Sequence, residues 1–165
     1  MTPLPPAVAA FLSGKPIVVA GVSRSGNAPA NAIFRRLRES GNEPVPVNPN
    51  AAQLEGTACY RSVESVPGPV HGLMVVTHPQ AALQVVNEAL ARGVKHIWFH
   101  RSFGDGSVSD QAVEACRAAG VEPIVGGCPM MYAGRVVEQA ASSVLFRQAA
   151  HPYTRALIAA ARRAS

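Results

Sequence analysis

Five short β-rich runs, separated by stretches with helical spacing, constrain this chain more than any other feature. They are Ile17 to Ala20, Glu43 to Val47, Leu73 to Val76, His96 to Phe99 and Val121 to Val125. Between them apolar residues recur at helical intervals: Ile33, Phe34 and Leu37, then Leu83, Val86 and Leu90, then Val113 and Cys116. Asn27 is expected to cap the first of these helices, with Pro29 in its first turn. Gly41, Gly93 and Gly120 stand where the helices should end. Strands alternating with helices of about 10 to 15 residues read as βαβ units. The expected fold is α/β: a Rossmann-like, doubly wound, mostly parallel sheet with helices on both faces, its crossovers right-handed. Leu73 to Val76 is apolar throughout, as a strand covered on both faces should be. Pro44 and Pro46 predict a short or irregular second strand, and Thr57 to Tyr60 reads as a short edge strand.

At 165 residues the chain suits one domain with one core. Residues 1–134 are expected to form it. The alanine-rich stretch 135–165 should be a helical extension of the same domain. Its Val136, Val137, Leu145, Leu157 and Ile158 offer an apolar face for self-association or for a partner enzyme. Apolar residues make up 48% and charged residues 15%, a globular balance. No apolar run approaches the roughly 18 residues of a membrane span, and no basic region precedes the apolar part of the first residues, so neither a membrane association nor a signal peptide is expected. Cys59, Cys116 and Cys128 are odd in number and form no CxxC pair, which points to a reducing cytoplasm. The net charge of +5 fits either an ordinary mildly basic surface or an anionic ligand. Nucleic acid is not expected, because aromatics are only 5% and no basic run interleaves with them.

In open α/β sheets ligands lie beyond the carboxyl ends of the strands. That rule selects Gly21-Val22-Ser23, Asn48-Pro49-Asn50, Thr77-His78, His100-Arg101 and Gly126-Gly127-Cys128 as one rim. The first loop continues through Arg24, Ser25, Gly26 and Asn27. Its glycines are not spaced as GxGxxG, and no Lys-Ser/Thr follows to make a P-loop. Two glycines, two hydroxyls and an arginine before a helix N-terminus are nonetheless suited to a phosphate. A nicotinamide dinucleotide site without an extra phosphate would want Asp or Glu at the end of the second strand. Asn48-Pro49-Asn50 stands there instead. NADP remains, or a ligand with a phosphorylated adenosine such as coenzyme A.

The stretches IVVAGVSRSGN, PVPVNPN, LEGTACYRSVESVP and HPQAALQVVNEALARGVKHIWFHRSFGDGSVSDQAVEACRAAGVEPIVGGCPMMY cover roughly residues 15 to 132. Together they resemble the small stand-alone CoA-binding proteins, whose domain is similar to the N-terminal CoA-binding domain of the succinyl-CoA synthetase α subunit. The resemblance implies that the loop after the first strand holds the phosphates, and that the ends of the other strands surround the adenosine and pantetheine parts. Carried over, it implicates Ser23, Arg24, Ser25, Asn48, Asn50, Thr77, His78, Phe99 and His100. With their neighbours Gly21, Val22, Gly26, Asn27, Pro49, Pro79 (the start of a helix), Arg101 and Cys128 they make up the expected site for CoA or acyl-CoA. The synthetase's second domain and its phosphorylated histidine have no counterpart here, so ligase chemistry is not implied.

Cys128 admits two roles: a small apolar residue closing the sheet, or a rim thiol able to form a mixed disulfide with CoA. Zinc held by His78, His100 and Cys128 is a further alternative without a spacing signature, and no metal is expected. The loop Arg101 to Ser109 either closes over the ligand or connects strand to helix. No GxSxG elbow, HExxH or pair of catalytic carboxylates is present, and Tyr132 and Tyr153 have no suitably spaced lysine. The expectation is therefore a binder of CoA or acyl-CoA without turnover. The alternative is an NADP-dependent oxidoreductase or other nucleotide-using enzyme on the same scaffold.

Overall fold

The computed structural model describes residues 4–101 and 106–132. The expected extension 135–165 and the tip of the 101–109 loop lie outside the described residues. In chain order the elements are α1 (Pro6–Leu12), β1 (Ile17–Ala20), α2 (Pro29–Glu39), β2 (Pro44–Val47), β3 (Gln53–Leu54), β4 (Thr57–Ala58), β5 (Gly72–Val75), α3 (Pro79–Ala91), β6 (His96–Phe99), α4 (Asp110–Ala118), β7 (Ile124–Val125) and a 3-10 turn at Pro129–Met131. Five strands form one sheet in the order β2-β1-β5-β6-β7. All four of its ladders are parallel. The strand order reverses between β1 and β5, which makes their carboxyl ends the switch point.

Side chains alternate across the strands, and in the three central strands β1, β5 and β6 they are buried on both faces. Val18, Ala20, Leu73, Val75, Ile97 and Phe99 pack with Ala82, Val86 and Ala89 of α3 and with Ala112, Val113 and Cys116 of α4. Ile17, Val19, Met74 and Trp98 point the other way, onto Val8 and Phe11 of α1 and Ile33, Phe34 and Leu37 of α2. Trp98 anchors this second layer. Phe11 meets it edge-on at 5.3 Å, and its indole N–H donates to the carbonyl of Gly126 at 2.9 Å, which satisfies the one polar atom of a fully buried ring.

Three local expectations are corrected. Asn27 is exposed and lies one residue outside the cap of α2; Ala28 takes the cap position with no side-chain bond, and Pro29 opens the helix. With no N–H on Pro29, one of the helix's orphan donors is missing, and the Asn31 N–H closes onto the Ala28 carbonyl at 2.9 Å. Second, Thr57–Ala58 does not join the main sheet but folds back on Gln53–Leu54 as an antiparallel hairpin. The end of the run does reach the sheet edge: Tyr60 bridges in parallel to Val47 of β2. Third, the last strand is two residues long, because the Val121 N–H is used to close α4 onto Cys116 and Pro123 has no N–H for a ladder. The prolines of β2 are accommodated at a sheet edge, where the Pro46 carbonyl accepts from the Tyr60 N–H at 3.1 Å.

Candidate functional site

The loop after β1 is built by close approach. Gly21 has φ +105°, and a Cβ there would lie 2.4 Å from the Val76 carbonyl oxygen at the end of β5. Only glycine lets the two strand ends come this near. Beyond Gly21 the chain is tied from below. The buried side chain of Asn31 on α2 accepts from the Ser23 N–H at 3.0 Å and donates to the Ser23 carbonyl at 2.9 Å. Ser23 Oγ in turn accepts from the Ser25 N–H at 3.1 Å and contacts Ser25 Oγ at 3.0 Å. Asn48, at the end of β2, donates from Nδ2 to the Val22 carbonyl at 2.9 Å and accepts the Asn50 N–H at 2.8 Å. Both ends of the Asn48 amide are thus engaged by protein, and it braces the loop.

Two clefts flank this loop. One, of about 630 Å³, lies at the switch point between β1 and β5 and is lined by Gly21, Ser23, Ala28, Pro29, Ala30, Val76, Thr77, His78, Ala81, His100, Gly106 and Ser107. Its walls are mostly small and apolar. Thr77 Oγ1 is buried there without a hydrogen-bond partner among the described residues. His100 is buried too, and desolvation holds its imidazole below the usual histidine range, toward the neutral form. The second cleft, of about 570 Å³, lies on the β2 side and is lined by Arg24, Pro49, Asn50, Ala51, Ala52, Cys59 and Arg61. Among the described residues neither Arg24 nor Arg61 is paired with a carboxylate, whereas Arg35, Arg36 and Arg117 are. Both guanidiniums are exposed at the cleft.

Of the expected site residues, the first cleft brings together Gly21, Ser23, Thr77, His78 and His100, and the second Arg24, Pro49 and Asn50. Val22 and Phe99 are fully buried in the core and line neither cleft. Ser25, Gly26, Asn27, Asn48, Pro79 and Arg101 line neither cleft. Cys128 also lines neither; it is half-buried against the cluster that holds Trp98. No group of three His, Cys, Asp or Glu side chains among the described residues is placed to hold a metal ion. Sequence reasoning missed Arg61, Ser107 and the two braces Asn31 and Glu55. Asn31 carried a signal, as a polar residue beside Ala30 on the buried face of α2. Glu55 brings a carboxylate near the loop, but it faces α2, where Asn31 and Arg35 hold it at 2.7 and 2.9 Å.

Comparison with known proteins agrees with this architecture. Over 88 residues the chain is 28% identical to the acetate–CoA ligase [ADP-forming] II subunit alpha of Pyrococcus furiosus, covering 53% of this chain and 19% of that protein. The chain therefore spans about a fifth of that relative's length. A conserved hypothetical protein from Pyrococcus furiosus is 36% identical, with a TM-score of 0.63, over 72% of this chain and 98% of its own. A hypothetical protein from Pyrococcus horikoshii is 25% identical, with a TM-score of 0.70, over 76% and 85%. Residues 15–134 match the family described as the CoA binding domain. That match takes in the sheet, the loop between the two clefts and every described residue of both walls, and the chain belongs to the CoA binding domain family.

Proposed function

We propose that the chain binds coenzyme A, free or as a thioester, across the loop 21–27, without turning it over. The observation that carries this reading is the contrast between two clefts that share the loop. Coenzyme A has an apolar, amide-bearing arm, a pyrophosphate and a phosphorylated adenosine, in that order. The mostly apolar cleft at the switch point suits the arm, with Thr77 Oγ1 at hand for its amides and His100 in the wall. The arginine-flanked cleft suits the adenosine phosphate. The loop between them suits the pyrophosphate, with Arg24 and the N-terminus of α2 supplying positive potential. The absence of turnover is supported by the partners of the hydroxyls: Ser23 Oγ meets Ser25, not a histidine or carboxylate. Three free cysteines suit a reducing cytoplasm.

Charge alone does not separate a 3′-phosphate from the 2′-phosphate of NADP, so Arg24 and Arg61 also favour NADP as a second reading. A thermal-shift and calorimetric comparison of CoA, dephospho-CoA, NADP and NAD decides between them. At 100 times its dissociation constant a ligand stabilises the native state by about 2.7 kcal/mol, which a melting curve resolves. CoA should bind at least tenfold tighter than dephospho-CoA, and NAD should give no shift. A shift with NADP and none with CoA would overturn the proposal.

A further inference from the structure

Glu55 sits at the tip of the β3–β4 hairpin with a left-handed backbone, φ +51°, uncommon for a residue with a long side chain. Its side chain is only 12% exposed. One carboxylate oxygen, Oε1, accepts from Asn31 Nδ2 at 2.7 Å and from Arg35 Nη1 at 2.9 Å. Each donor passes the constraint on to a different end of the loop. Asn31 grips Ser23 at both its N–H and its carbonyl. Arg35 donates through Nη2 to the Gly26 carbonyl at 3.2 Å. Arg38 closes the arrangement by donating to the Glu55 backbone carbonyl at 2.6 Å, which pins the hairpin tip to α2.

We infer that Glu55 is a positioning residue for the anion loop: from a hairpin outside the main sheet it fixes both ends of the 21–27 turn, through Asn31 and Arg35, in the shape that receives the ligand. The inference rests on reading that loop as the pyrophosphate site. It makes a prediction opposite in sign to simple electrostatics. A carboxylate near an anion should repel it, so removing Glu55 should tighten binding if charge alone mattered. If Glu55 preorganises the loop, removing it weakens binding, because the ordering must then occur on association.

The test pairs Glu55→Ala and Glu55→Gln with the unsubstituted protein. Calorimetric titration with CoA should show roughly tenfold weaker binding for Glu55→Ala, the scale of one lost charge-assisted contact. Glu55→Gln keeps the shape and an acceptor at Oε1, and should lose less. Hydrogen exchange of the unliganded protein supplies a readout independent of the ligand. The Ser23 amide should exchange at least tenfold faster in Glu55→Ala, while the Leu73 amide in β5 stays unchanged. Arg35→Met, which removes the Gly26 tether and the Arg35–Glu55 ion pair but leaves the Glu55–Asn31 bond in place, serves if Glu55→Ala does not fold, and should weaken CoA binding in the same direction. Unchanged or tighter CoA binding in the variants would overturn the inference, as would an unchanged Ser23 exchange rate. If the unsubstituted protein binds no CoA, it is the pyrophosphate reading that fails, and the exchange rates alone decide whether Glu55 holds the loop.

Discussion

Arg24 is exposed on the wall of the second cleft and has no ion-pair partner among the described residues, so its charge is available to a ligand. Arg24→Ala should weaken CoA binding roughly tenfold at low salt, and the loss should shrink above about 0.5 M salt as screening shortens the reach of the charge. Titrations at two ionic strengths measure both effects, and an Arg24→Ala protein with native affinity at low salt would place the phosphates elsewhere. Gly21 is sensitive for a different reason. A methyl group there would meet the Val76 carbonyl at 2.4 Å in a backbone conformation that L side chains rarely adopt. Gly21→Ala should cost about 2 kcal/mol or more of stability, read by urea unfolding, and should distort the first cleft. The cysteines differ in the same local way. Burial pushes the Cys116 thiol up to about 11, and burial likewise raises Cys59, so both are mostly protonated at neutral pH and shielded. Mild alkylation of the native protein should modify the half-buried Cys128 first among these three; early labelling of Cys116 would contradict the packing of α4.

At the scale of elements, α1 is a short helix of seven residues held by side chains rather than by caps. Phe11 is fully buried against Trp98. Phe11→Ala should destabilise the domain by about 3 to 5 kcal/mol, the usual cost of emptying a large aromatic site, and change Trp98 fluorescence; a loss below 1 kcal/mol would mean that α1 is peripheral. The elements the sequence made legible are those whose signal is local. β1, β5 and β6 are short, mostly apolar runs, and they appear within one residue of where the runs lie. The loop 21–27 was legible for the same reason: a strand, a glycine and a helix in immediate succession. What was not legible depends on contacts between distant residues. Nothing near Thr57 says that it pairs with Leu54 and not with the main sheet, because two-residue strands carry no periodicity. Nothing near Glu55 says that its carboxylate reaches Asn31, 24 positions earlier. Arg61 reaches the second cleft only because Tyr60 bridges to Val47 and brings the chain beside Asn50.

At the scale of the whole molecule, the response to acid is governed by histidines at opposite ends of the sheet. His96 begins β6 and stacks on His71 with ring centres 4.5 Å apart. Burial first, and the neighbouring His71 charge second, lower its proton affinity. His100, just past the other end of β6, is lowered by burial. A histidine whose folded-state pKa lies below its unfolded value of 6.5 binds protons more readily once the chain unfolds. Its contribution is therefore intact above that value and is lost as pH falls from there through the lower folded-state pKa. Stability should be level above about pH 7 and decline as pH falls below the unfolded-state histidine value of 6.5. Urea unfolding at half-unit intervals measures the profile, and His96→Asn should flatten part of the decline without changing the plateau's shape. A curve that stays level or rises as pH falls through this window would mean that neither ring is held neutral by its surroundings. The same titration reaches the proposed site through His100, which lines the first cleft. CoA affinity should change over the pH range in which His100 gains its proton, whereas His96→Asn, at the far end of the strand, should leave that dependence in place.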